Sequence, residues 1–148
     1  MWSFFALLVV LGGCSQEKSD ATDTGSEWGE RIEWTTDVDT EGGRYHLELA
    51  LDPLPAQVGV STLDMAISIN NSNPCFSGAA LLNANVSLTG RRPEEGGVLG
   101  AAIAAEELGA GDYRATWTFA QSGYWELEIE VGAAEDTEIA VIGLVVDN

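Results

Sequence analysis

The sequence predicts an all-β fold, an immunoglobulin-like antiparallel β-sandwich, on three observations. Apolar and polar residues alternate at a period of two in several stretches, as they do in strands with one wet face. Pro, Gly, Asn and Asp break these stretches at short intervals. The stretches follow one another over about 120 residues, the span of a two-sheet sandwich.

The alternation starts near Glu30. Tyr45, Leu47, Leu49 and Leu51 fall on one face of a strand, with His46, Glu48 and Ala50 on the other. Leu63, Met65, Ile67 and Ile69 repeat the pattern, and Ala84, Val86 and Leu88 form a shorter run. Residues 101–108 are ambiguous, because their Ala and Glu favour a helical turn while their place between strands favours a strand. Tyr113, Ala115, Trp117 and Phe119 alternate with Arg114, Thr116 and Thr118. Trp125, Leu127, Ile129 and Val131 alternate with Glu126, Glu128 and Glu130. Residues 139–146 are apolar on both faces, which fits a last strand covered on both sides or covered by a partner. No internal repeat is present.

The spacing also predicts a hairpin. Pairing Phe119 with Trp125 sets Trp117 opposite Leu127, Ala115 opposite Ile129 and Tyr113 opposite Val131. Arg114 then faces Glu130 and Thr116 faces Glu128, and opposite charges so placed contribute up to about 1 kcal/mol. The run Leu108-Gly-Ala-Gly-Asp-Tyr113 has the form of a tyrosine corner.

With 148 residues and 45% hydrophobic residues, the chain can build one core. It carries 24 Asp and Glu against 6 Lys and Arg, a formal charge of -18. Such a surface repels nucleic acid phosphates and anionic headgroups and attracts cations, and solubility alone accounts for it.

The division is expected to be residues 1–13, a signal peptide; residues 14–29, a lipidated Cys and acidic tether; and residues 30–148, the sandwich. Residues 4–11 are an unbroken apolar run. At about 1.5 Å per residue a helix of that length falls far short of a bilayer core of about 30 Å, so an export signal fits better than a membrane span. Leu11-Gly12-Gly13-Cys14 resembles the lipobox of bacterial lipoproteins. That resemblance implies thioether lipidation of Cys14 and cleavage before it. No Lys or Arg precedes the apolar run, which leaves the true start open. Several acyl chains on one residue anchor firmly, where a single chain binds marginally. Ser15 after the Cys implies, by the same resemblance, sorting to the outer membrane, facing the periplasm or the cell surface. Residues 15–29 are polar and acidic with little to bury, as a disordered tether is. Once Cys14 is lipidated, Cys75 has no intramolecular disulfide partner and is expected as a small buried hydrophobe.

The segment Gly111-Asp-Tyr-Arg-Ala-Thr-Trp-Thr-Phe119, followed by Gly123-Tyr-Trp-Glu-Leu-Glu-Ile-Glu-Val131, resembles the end of YtkA-like and FixH-like domains. Upstream, Pro53-Leu-Pro-Ala-Gln-Val-Gly59 and Leu63-Asp-Met-Ala-Ile67 are similar to their opening. The resemblance covers about residues 45–131 and implies an immunoglobulin-like sandwich outside the cytoplasm. It also implies, for some relatives, a link to copper or to respiratory oxidase assembly. The relatives' middle loop often carries Met-Pro with Met or His nearby, ligands that suit copper. Here that loop reads Gly90-Arg-Arg-Pro-Glu-Glu-Gly-Gly97, with Pro93 but no soft ligand, so no copper site is carried over.

Asp37, Asp39, Glu41 and Glu48 match positions 1, 3, 5 and 12 of a calcium loop, with Gly42 at the turn. Hard oxygen donors at that spacing can wrap one cation. The competing reading, and the favoured one, is an acidic hairpin turn, because strand-like sequence flanks the loop instead of helices. Glu126, Glu128 and Glu130 project from one face as a solvated surface that discourages edge aggregation. His46 is the chain's only His and the only candidate base. No Gly-x-Ser-x-Gly elbow or phosphate loop accompanies it, so a nucleophile lacks its usual activating context. Trp28, Trp34, Trp117 and Trp125 could stack on a sugar, but the last two fall on core faces.

These readings predict a membrane-anchored extracytoplasmic lipoprotein with a binding or accessory sandwich and no catalytic activity. The expected partners are the membrane, through the lipid on Cys14, and an envelope protein, with no nucleic acid and no small-molecule substrate. No cofactor is expected unless calcium binds. The alternative is a metal-handling domain, with calcium at residues 37–48 or the copper-related role the resemblance implies.

Overall fold

A computed structural model describes residues 36–70, 78–97 and 100–148. The predicted signal peptide 1–13, Cys14, the tether 14–29, Trp28, Trp34 and Cys75 lie outside the described residues.

The described chain is an antiparallel sandwich of two sheets. Its strands are β1 (Thr36–Asp39), β2 (Tyr45–Asp52), β3 (Gly59–Ile69), β4 (Asn85–Arg91), β5 (Ile103–Ala104), β6 (Glu106–Gly109), β7 (Asp112–Phe119), β8 (Gly123–Ala133) and β9 (Asp136–Val146). One sheet has the order β1-β2-β3-β7-β6 and the other β5-β4-β8-β9. If β2, β3, β4, β6, β7, β8 and β9 are lettered A to G with D for β6 and E for β7, the order is A-B-E-D against C-F-G. That is the immunoglobulin arrangement, with β1 and β5 added at edges.

The alternation does what a period of two dictates. Leu47, Leu49, Leu63, Met65, Ile67, Leu88, Tyr113, Phe119, Leu127, Ile129 and Val131 are buried between the sheets. Each such side chain contributes roughly 1.5–3 kcal/mol of burial. His46, Asp64, Arg114 and Glu126, at the intervening positions, turn to the outer faces. Ile69 departs from its pattern and is exposed, because β3 ends there and the sheet no longer covers it.

The predicted hairpin does not form. β7 pairs with β3 and β6, whereas β8 pairs with β4 and β9. Residues 120–122 therefore carry the chain from one sheet to the other. Arg114 lies opposite Asp64, not Glu130, and Glu130 lies between Ser87 and Ile139. Phe119 and Trp125 do touch, edge to face with ring centroids 5.4 Å apart, but they meet across the core from opposite sheets.

Tyr113 is not a tyrosine corner either. Its hydroxyl donates to the Leu81 carbonyl at 2.9 Å and accepts from the Ala84 amide at 3.1 Å. Those groups lie on the approach to β4, so Tyr113 ties β7 to the other sheet instead of bracing its own corner. Burial pushes its phenol pKa up.

Residues 101–108 hold two short strands, β5 beside β4 and β6 beside β7, so the chain crosses between sheets there too. The last strand, β9, pairs with β8 alone. Ala140 and Val146 face the core, while Val141 and Val145 are exposed on the outer face. No part of the described chain covers that face, so coverage from both sides within the chain is not what makes it apolar.

Candidate functional site

β1 and β2 form a hairpin whose turn carries the acidic loop. In its register Asp37 lies opposite Glu48, and Asp39 opposite His46. All four side chains point to the outer face of the sheet, because Val38 and Leu47 take the inner one. The Asp39 carboxylate is shared by His46 Nδ1 at 2.9 Å and Asn70 Nδ2 at 3.1 Å. The exposed Glu41 sits in the turn, and its amide donates to the Ile139 carbonyl at 2.8 Å. Asp37, Asp39, Glu41 and Glu48 are thus strung along a hairpin, not wrapped around a point. Among the described residues, no group of three or more His, Cys, Asp or Glu side chains gathers as a metal centre would require.

A different carboxylate organises the turn. Glu138, on β9, accepts from the Thr40 hydroxyl and from the Arg44 amide at 3.1 Å. Thr40 is buried, and its hydroxyl also accepts from the Tyr45 amide at 3.1 Å. A side chain on Gly42 would meet the Glu138 carboxylate, which would have to shift from its place beside Thr40 to admit it. Arg44 pairs with Asp136, whose carboxylate raises the guanidinium pKa. The loop read as a cation site is therefore pinned to the β8–β9 turn. Neither Thr40 nor Glu138 stands out in sequence, because they are 98 positions apart.

His46 borders a hollow of about 360 Å³ lined by Glu48, Ser68, Gly78, Ala80 and Gly111. Among the described residues that line it none is lysine or cysteine, and Ser68 carries the hydroxyl group. Glu126 pairs with Arg91 at 2.7 Å, so the predicted acidic face is partly neutralised at one end.

Trp117 and Trp125 are buried, as their alternation implies. They line a recess of about 280 Å³ with Gly90, Arg92, Gly100 and Gln121. The Arg92 guanidinium lies 6.0 Å from the Trp125 ring centroid, within reach of a cation–π attraction. It also bonds Gln121 at 3.0 Å and the Ser122 carbonyl at 3.3 Å, and pairs with Glu95. This arginine locks the β7–β8 crossing, a role the sequence pattern does not signal.

An apolar cleft of about 370 Å³ lies at the side of the sandwich between β1 and β9. Val38, Leu49, Leu51, Leu54, Leu63, Leu127, Ile142 and Leu144 line it. Its walls come from separate segments, so no local motif announces it.

No protein-family model matches the chain, and no curated protein matches it significantly. Among solved structures, it is similar to a DUF4426 family protein from Pseudomonas aeruginosa PAO1, with 14% identity over 76% of this chain and 97% of that one and a TM-score of 0.47. It is similar to the PmoD soluble domain from Methylocystis sp. ATCC 49242 (Rockwell), with 14% identity over 76% of this chain and 98% of that one and a TM-score of 0.47. At that distance, neither likeness bears on what this chain does. No helix among the described residues is long and apolar enough to cross a membrane.

Proposed function

We propose that this chain is a lipid-anchored envelope protein whose sandwich is a non-catalytic binding or accessory module. In this reading residues 1–13 are removed, Cys14 carries the lipid, and residues 14–29 tether the domain to the outer membrane. The observation that carries the reading is Leu11-Gly12-Gly13-Cys14 at the end of the eight-residue apolar run 4–11. The resemblance of residues 45–131 to YtkA-like and FixH-like domains supports the same accessory role.

The test is fractionation of cells that make the full chain. The wild type is expected in the membrane fraction, released by detergent and not by high salt. Cys14→Ser should appear in the soluble fraction or remain as an uncleaved precursor. A Cys14→Ser protein that is processed and fractionates like the wild type would end this reading.

Calcium binding is a second reading, favoured by the opposition of Asp37 and Glu48. Like charges on facing strand positions repel, and a shared cation would remove that cost. A melting temperature unchanged by millimolar calcium would remove this reading and leave the first intact.

A further inference from the structure

We propose that the recess walled by Arg92 and Trp117, at the β7–β8 crossing, is a binding site for a carboxylate. Among the described residues, three buried side-chain polar atoms have no hydrogen-bond partner: Ser61 Oγ, Arg92 Nε and Trp117 Nε1. Buried polar groups nearly always have one, so each unmet group calls for an occupant. The three are not scattered. Arg92 and Trp117 line the same recess of about 280 Å³, and Ser61 lies opposite Trp117 in the β3–β7 register. Trp117 is only 7% exposed, so bulk water does not stand in for the missing acceptor of its indole N–H. The ring edge next to that nitrogen lies against Gly90 on the recess wall, where a Cβ would come within 2.8 Å of Cε2.

Arg92 decides the chemistry of the occupant. Elsewhere in the chain, Arg114 gives one edge of its guanidinium, Nε and Nη2, to the two oxygens of Asp64 at 2.6 and 3.0 Å. The same edge of Arg92 is unfilled. Its Nε has no partner, and its Nη2 donates only to the Ser122 carbonyl at 3.3 Å. Gln121 and Glu95 take Nη1 instead. Gly123 keeps the Nε/Nη2 edge clear, since a Cβ there would come within 3.0 Å of Nη2. Such an edge matches the paired oxygens of a carboxylate, and the indole N–H supplies a further donor. Donors of this kind ask for an acceptor and would repel a cation. Glu95 lines the recess too, and its side chain is 54% exposed while that of Arg92 is 13% exposed. An incoming carboxylate therefore competes with Glu95 for the guanidinium. The proposal stands whether or not Cys14 carries a lipid.

The test is a titration of the full chain, labelled with nitrogen-15 and read at the indole N–H resonances. The resonance missing from Trp117→Phe identifies Trp117. The probes are sodium acetate and the tripeptide Gly-Gly-Gly, with sodium chloride at matched ionic strength and the tripeptide amide as their controls. The expected result is a saturable downfield shift of the Trp117 indole proton with a carboxylate and not with its control. Saturation by acetate marks a free acid as the source, and saturation by the tripeptide alone marks a chain end. Glu95→Ala should tighten binding several-fold, because the competing carboxylate is gone. Arg92→Lys should weaken it by about tenfold, because an ammonium lacks the Nε/Nη2 edge. The other indole resonances report whether both variants remain folded. No saturable shift with either probe, an equal shift with chloride, or unchanged affinity in a folded Arg92→Lys would overturn the proposal.

Discussion

Arg114 and Asp64 face each other on neighbouring strands, joined at two points: Nε to Oδ1 at 2.6 Å and a terminal nitrogen to Oδ2 at 3.0 Å. This fork-to-fork pair lies on the outer face of the β3–β7 ladder. It places β7 beside β3, and so on the opposite side of the core from β8, which follows it in sequence. The pairing of one arginine thus distinguishes the immunoglobulin order from a simple meander.

A double-mutant cycle on Asp64→Asn and Arg114→Gln should give a coupling of about 0.5–1 kcal/mol, as part-exposed bidentate pairs do. Urea unfolding of the two single variants and the double variant measures it. The same cycle between Arg114→Gln and Glu130→Gln should give a coupling near zero.

Tyr113→Phe removes a hydroxyl that serves two backbone groups, the Leu81 carbonyl and the Ala84 amide. Leaving buried partners unmet costs about 1–3 kcal/mol, and the change in urea midpoint should show it with an unchanged slope. Tyr45→Phe is the comparison, since its ring is equally buried but its hydroxyl meets the exposed Arg44 side chain instead of buried backbone groups.

Gly90 lies on β4 against the Trp117 ring, and a Cβ there would come within 2.8 Å of Cε2. Gly90→Ala should destabilise the fold by about 1–3 kcal/mol, because the added methyl forces the indole out of its packed position. Gly100→Ala meets the same ring at 3.4 Å and should cost much less. Comparing the two melting temperatures checks the prediction.

Asp112 has its carboxyl pKa raised above the ordinary carboxylate range, first by burial and then by the charge of Asp64. A carboxyl raised in the folded state favours folding when protonated. Its contribution is fully present below the unfolded value and is lost as pH rises through the folded one. Asp112→Asn should therefore stabilise the protein slightly at neutral pH, and the gain should vanish as pH falls toward about 4. Thermal melts of both proteins across that range supply the test.

Alternation made the faces of β2, β3, β7 and β8 legible, because burial on one side of a strand writes a period of two into the sequence. Which strand lies next to which leaves no such mark. Tyr113 to Phe119 reads the same whether its neighbour is β8 or β3, and residues 120–122 suit a hairpin or a crossing equally well. The acidic loop shows the same limit. Spacing placed Asp37, Asp39, Glu41 and Glu48 on a calcium template, but the strand geometry spreads them along a ladder. Glu138 holds that turn and Arg92 holds the opposite pole, both through contacts between distant residues that no local motif encodes.

The most direct measurement of the proposed role is the mass of the N-terminal peptide of the mature protein, extracted from the membranes of cells that make it. The account predicts a chain that begins at Cys14, with its sulfur in a thioether to a diacylglycerol. A peptide that retains residues 1–13, or a Cys14 with a free thiol, would contradict it.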